Sequence, residues 1–332
     1  MSSAVPVRSL RACEVELELG KRPLLMGIVN ASPDSFSDGG RYRTLEDRVA
    51  LAHELRVAGA DILDIGGESA TTGRAPVAVQ EEIERVVPLI ERVVALENEN
   101  ESESKSKSEA ADASMAPHAL LVSVDTYKPA VARAAIAAGA RIVNDVSGLR
   151  DPELAEVCAQ SGAALVVMHT AAAPRQRLQD PDLYRDVLAE TLRFLRERIE
   201  LALAAGMARE QLIVDPGPDF AKTPAQTIEL LAGVERLHEL GLPLLLAISR
   251  KDFIGALTGR APRERLAGTL ASLAHGLDAG AQIFRVHDVA AAADFIKVRA
   301  ALAGVLRPER TLALAEEHRH DRVAAGSSSP VV

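Results

Sequence analysis

Polar and ionisable residues stand at or just past the end of almost every apolar run in this sequence. They are Asn30 in LLMGIVN, Asp64 and Glu68 in DILDIGGES, Asp125 in LLVSVDT, Asn144 and Asp145 in RIVNDVSG, His169 in ALVVMHT, Asp215 in LIVDPG, Lys251 after PLLLAISR, and Arg285, His287 and Asp288 in IFRVHDV. A buried set of Asp and Asn side chains can read the edge of a flat heterocycle, whose amino and ring N–H groups would otherwise lose water without gaining partners. Arg285 and His287 are alternate residues, so on a strand they point the same way and suit an anion such as phosphate. Asn30 and Asp38 offer hard oxygens of the kind Mg²⁺ accepts beside phosphate oxygens and water. Singly, each has a plainer explanation. Asp64 and Asp145 are as well suited to structural hydrogen bonding as to ligand binding, and His169 alone fits a satisfied histidine at a strand end. Their recurrence at one place in each unit points to a site.

That site exists only if the apolar runs lie side by side in parallel. Residues 24–30, 61–67, 120–126, 141–148, 164–170, 212–217, 243–249 and 283–289 read as eight buried parallel strands. Helical patterns separate them. The clearest is 183–203, where Leu188, Leu192, Leu195, Ile199 and Ala202 recur every three or four residues. AGAD, AGAR, SGAA and AGAQ mark Gly-terminated helix exits into four of the strands. Eight such units predict an α/β fold, a single-domain (β/α)8 TIM barrel over 22–304, with a doubly wound open sheet as the alternative. In a barrel the loops after the strands make the active face, and the polar loop of 31–40 folds over the bound anion and excludes water. Residues 1–21 form an N-terminal segment, of which 8–19 caps the barrel bottom. Residues 97–118 contain no Val, Leu, Ile or Phe and read as a disordered insertion on the bottom side. The tail, 305–332, reads as partly helical from about 307 and then frayed.

Composition narrows the function classes. The chain has 332 residues, 48% of them hydrophobic, and a formal net charge of −9, which disfavours a nucleic-acid or membrane-surface partner. No run approaches the ~18 apolar residues of a membrane span, and no signal-peptide core opens the chain. Cys13 and Cys158 lack metal-like spacing and read as isolated thiols of a reducing compartment. Together these point to a cytoplasmic enzyme.

Seven ordered stretches resemble one family: MGIVNASPDSFSDGG, DILDIGGES, VSVDT, IVNDVSG, DPG with F.KT (215–223), SRK (249–251) and RVHDV (285–289). From 22 to 304 the sequence is similar to the dihydropteroate synthases. The resemblance implies a transferase of folate biosynthesis that joins 6-hydroxymethyl-7,8-dihydropterin diphosphate to p-aminobenzoate and releases diphosphate. It implies that Asp125, Asn144, Met168, Asp215 and Lys251 hold the pterin, and that Asn30, Arg285 and His287 hold the diphosphate. Asn30 and Asp38 would face Mg²⁺, with Asp34 and Asp38 in the first catalytic loop. Phe36, Thr71, Arg74, Phe220 and Asp252 would line the acceptor, and the enzyme would be a homodimer through its late helices. Three stretches depart from the family pattern: ESATTGRAPV replaces ESTRPG and displaces Arg74, MHTAAAPRQR replaces MHMRG, and Asp252 follows SRK where Ser is common. A carboxylate at Asp252 about 4 Å from that of the acceptor would repel it by about 4 kcal/mol at an effective dielectric of ~20, unless it turns to water or pairs with Arg250 or Arg74. The other reading of Asp252 is an exposed residue capping the next helix. Two further functions fit a pterin barrel, a non-synthase paralogue with another acceptor and a methyl-folate methyltransferase. The first loop and RVHDV speak against the latter, because a methyl-folate carries no diphosphate.

Overall fold

The computed structural model describes residues 8–31, 44–68, 76–105, 120–315 and 318. Asp34, Phe36, Asp38, Thr71, Arg74, 106–118 and most of the tail beyond 315 therefore lie outside the described residues. The chain divides into two compact units, Met1–Ala293 and Asp294–Val332.

In the first unit, β1 (Arg8–Ala12) and β2 (Val15–Leu19) pair as an antiparallel hairpin, Leu10 opposite Leu17. Eight parallel strands follow: β3 (Leu24–Asn30), β4 (Ile62–Gly66), β5 (Leu121–Asp125), β6 (Ile142–Asp145), β7 (Ala164–Met168), β8 (Leu212–Asp215), β9 (Leu245–Leu246) and β10 (Ile283–Val286). Their order is β8-β7-β6-β5-β4-β3-β10-β9. The ring closes where Val214 N–H donates to Pro243 O at 3.0 Å, beside a parallel bridge from Val214 to Leu244. The helices are α1 (Leu45–Val57), α2 (Val79–Lys105), α3 (Pro129–Ala137), α4 (Glu153–Ser161), α5 (Val187–Ala204), α6 (Pro224–Ala232), α7 (Asp252–Thr258), α8 (Leu266–Asp278) and α9 (Val289–Leu302). The architecture is the expected (β/α)8 barrel.

Local chemistry explains the element boundaries. Asp186 caps α5 by accepting from Ala189 N–H at 2.9 Å, and all five periodic apolar residues of that helix are buried. Thr223 and Gln226 make a reciprocal capping box at α6, with Pro224 in the first turn. Among the described residues no helix is long and apolar enough to cross a membrane.

Strand alternation divides the barrel interior into two zones. Near the strand starts, Leu24, Met26, Ile62, Leu121, Ile142, Ala164, Ile213, Leu245 and Ile283 form one apolar cluster with Leu10, Ala12, Leu17 and Leu19 of the hairpin. The hairpin therefore packs against the strand starts. Toward the strand ends the inward positions turn polar.

One expectation needs correction. The 97–118 segment was expected to be disordered throughout, yet α2 continues to Lys105. Lack of apolar residues rules out burial but not helix propagation, which adds one hydrogen bond per residue once a helix exists. Glu97 also anchors that turn through Arg56 at 3.3 Å. In the second unit, α9 ends at Leu302 and its last turn closes through Val305 N–H to Ala300 O at 2.9 Å. Of the tail from about 307, expected to be partly helical, residues 307–315 form no helix, residue 318 lies in a 3-10 turn, and the rest lies outside the described residues.

Candidate active site

Asp64, Ser123, Asp125, Asn144 and Arg285, on β4, β5, β6 and β10, form one buried network. Arg285 donates from Nε to Asp64 Oδ2 at 2.7 Å and from Nη2 to Asp125 Oδ2 at 2.8 Å. Asp64 also accepts from Asn144 Nδ2 at 2.9 Å and Ser123 Oγ at 2.6 Å. Its carboxylate is thus taken up by protein donors, the structural reading of that residue. One guanidinium serves two carboxylates, and burial, opposed by Arg285, pushes Asp125 up to about 7.

Asp215 is buried and accepts from Gly217 N–H at 2.8 Å. Burial raises its pKa against the pull of that bond and of Lys251 and Lys222. The Lys251 ammonium lies 4.5 Å from the centre of the Phe220 ring, and burial lowers its pKa. The His287 ring shares a 2.9 Å hydrogen bond between Nδ1 and Ser249 Oγ. Burial and then the cations Arg250, Arg285 and Lys251 push its pKa down to about 3, so it is neutral at pH 7. His287 thus offers an imidazole hydrogen bond where the sequence allowed a second cation.

A cavity of about 320 Å³ opens over this zone, lined by Asp125, Phe220, Lys251, Asp252, Glu68 and Arg250 among others. Of the expected pterin residues, Asp125 and Lys251 line it. Asn144, neighbour of Asp125 across β5–β6, and Met168, neighbour of Asp215 across β7–β8, are buried in the barrel wall with Asp215. Asn30 sits at the end of β3 opposite Gly66, which in turn pairs with Asp125.

Four residues expected at the mouth do other work. Asp145 accepts from Ser147 and Leu149 N–H groups and shapes its own loop. His169 packs between the rings of Tyr184 and Phe194, centroids 5.7 and 4.9 Å away, and burial keeps it neutral. Asp288 binds Arg250 through both carboxylate oxygens. Glu68 joins Lys128 at 2.6 Å and Arg175, holding together the loops after β4, β5 and β7, and these cations keep its pKa low although burial acts to raise it.

Asp252 is the first residue of α7, and Asp219 Oδ2 accepts its backbone N–H. Its own carboxylate is 65% exposed and pairs with Arg265 at 3.1 Å. Arg265 is neither of the partners considered from sequence, because it comes from the start of α8, beyond the reach of local pattern. Sequence reasoning also assigned no role to Lys222, although it falls within the F.KT motif. It is the largest fully buried side chain of the described residues.

The comparisons with known proteins agree with this geometry. Residues 26–101 and 109–287 match the pterin binding enzyme family. The dihydropteroate synthase of Synechocystis sp. is 40% identical over 285 residues, which is 85% of this chain and 91% of that protein. A structure of Xanthomonas albilineans dihydropteroate synthase with 4-aminobenzoic acid shares 43% identity and a TM-score of 0.77, covering 91% of this chain and 100% of that one. The same enzyme in complex with 7,8-dihydropteroate gives a TM-score of 0.74 at 43% identity, covering 90% and 100%. A closed eight-stranded barrel, an apolar floor and a polar, charge-lined upper zone, matched over nearly its whole length, thus place this chain in the pterin binding enzyme family, among the dihydropteroate synthases.

Proposed function

We propose that this protein condenses 6-hydroxymethyl-7,8-dihydropterin diphosphate with p-aminobenzoate, yielding 7,8-dihydropteroate and diphosphate. The observation that carries the reading is the polar zone over the sealed floor, where Asp125, Asn144 and Asp215 stand ready for the donor edge of a pterin. Among the described residues Asn144 Oδ1 takes no hydrogen bond, while its Nδ2 donates to Asp64. An amide oxygen and a flanked carboxylate together can accept from a pterin's amino and ring N–H groups. Met168 and Lys251 complete the ring's surroundings.

Bond breaking at the pterin methylene leaves a cation stabilised by the ring and places negative charge on departing diphosphate. Arg285, whose Nη1 makes no hydrogen bond among the described residues, and neutral His287 are placed to donate to that anion. The arylamine then attacks, oriented by Phe220 with Phe36, Thr71 and Arg74, while Asp34 and Asp38 belong to the first loop. No protein nucleophile takes part.

Mg²⁺ is the proposed cofactor. Among the described residues no three His, Cys, Asp or Glu side chains cluster in a way that would hold a metal ion. Asn30 supplies one hard oxygen at the β3 end, which fits an ion that keeps several waters and leans on substrate phosphate. Mg²⁺ bound there by Asn30 and Asp38 would neutralise leaving-group charge. A cytoplasmic homodimer completes the proposal; the exposed Leu257 of α7 and Leu266 of α8 support an interface on the late helices.

Incubating purified protein with both substrates and Mg²⁺ tests the function, with 7,8-dihydropteroate detected by mass. Product is expected. Pterin binding without product under any condition would replace this reading with a paralogue using another acceptor.

A further inference from the structure

Lys222 ends the loop between β8 and α6, and its ammonium reaches water nowhere. Nζ donates to Gly217 O at 2.9 Å, Phe220 O at 3.1 Å and His169 O at 3.4 Å. Three N–H groups meet three carbonyls, two in the loop itself and one at the end of the neighbouring strand. The loop needs such a clasp. Asp219 and Ala221 hold left-handed backbone at φ 65° and 51°, a conformation that strains a non-glycine residue and persists only where the surroundings enforce it. Gly217 is also left-handed, and a Cβ there would lie 2.1 Å from His169 O. This strained loop begins at Asp215 and carries Phe220, whose ring lies under the Lys251 ammonium.

We propose that Lys222 is a positioning residue of the transfer reaction: by bonding the carbonyls of Gly217, Phe220 and His169 it holds residues 216–221 in the shape that presents Asp215 to the pterin and Phe220 to the arylamine. The proposal rests on the roles given above to Asp215 and Phe220. The ammonium form is needed, because a neutral amine has two N–H groups and a lone pair that would face the third carbonyl. The charged and titratable groups around Nζ are Asp215 on β8, Asp219 in the loop, Lys251 ahead of α7, the His169 ring just past β7, and the Tyr184 ring 6.0 Å away in the β7–α5 loop. Burial outweighs the two carboxylates and pushes Lys222 down to about 7. The clasp therefore loosens as pH rises through neutrality, and acceptor capture weakens with it.

The test uses the full chain as wild type, Lys222→Met and Lys222→Arg, measuring kcat and the KM of each substrate from about pH 6 to about pH 9. Wild type is expected to lose kcat/KM for p-aminobenzoate about tenfold per pH unit above neutrality. Lys222→Met is expected to lie at least about tenfold below wild type at the acid end, through KM more than kcat, without that alkaline limb. Arg stays protonated throughout, so Lys222→Arg is expected to recover part of the loss and carry no limb in this range. Lys222→Met with wild-type KM values and the same pH profile would overturn the proposal. If Lys222→Met does not fold, Lys222→Arg decides: an alkaline limb unchanged from wild type overturns it. Failure of the wild type to form dihydropteroate is a separate result that removes the functional reading beneath the proposal.

Discussion

Arg285 is shared between Asp64 and Asp125, so removing it reaches further than a lost phosphate contact. Arg285→Met would leave two buried carboxylates without a counter-ion, at an expected cost of about 3–5 kcal/mol in stability, read by chemical denaturation. The sign of its pH dependence is fixed. Asp125 already titrates near 7 in the folded protein against about 3.9 unfolded, so between those values the folded state binds more protons and stability falls as pH rises. Loss of Arg285 raises the folded pKa further, so the deficit of Arg285→Met should be smaller at about pH 5 than at about pH 8 in melting experiments. Asp215 makes a cleaner probe of ligand binding. Asp215→Ala should weaken binding of a pterin by about 1–3 kcal/mol in calorimetry, the cost of buried ligand donors left unpaired. At Asp252 the repulsion feared from sequence is largely absent, since Arg265 pairs with a carboxylate that is mostly in water. Asp252→Ser should therefore change the p-aminobenzoate KM by less than about fivefold, the equivalent of about 1 kcal/mol for an exposed pair.

The elements were legible because their periods are strong. Every strand of the barrel falls within one of the eight stretches read as strands, and α5 spans the stretch marked by Leu188 to Ala202. Side-chain partnerships across the barrel were not, because they depend on closure: Arg285 lies 221 residues from Asp64 and meets it only when β10 pairs with β3 and β3 with β4. The same holds for Lys222, whose carbonyl partners appear only after the loop takes its left-handed turns. Helix α2 was misjudged past Glu97 for the opposite reason, since a polar helix end leaves no apolar signature. The hairpin β1–β2 gives the element-scale test. Leu10→Ala should cost about 2–5 kcal/mol in denaturant unfolding, because the cavity opens inside the apolar floor. Pterin affinity should remain unchanged, because Leu10 sits in the apolar floor at the strand starts and the polar zone lies at the strand ends.

At the scale of the whole molecule, the plugged floor makes the barrel one-ended. Arg8 starts the hairpin that forms the plug, so whatever is joined ahead of it is attached beside the floor. The mouth, with Asp252 and the loops after β5 and β7, lies at the other ends of the strands. An N-terminal tether on a sensor surface should thus hold the molecule with its opening toward the solution, and pterin should associate as fast as with free protein. Linking the surface instead through exposed Gln176, which lines the opening, should slow association of the same ligand.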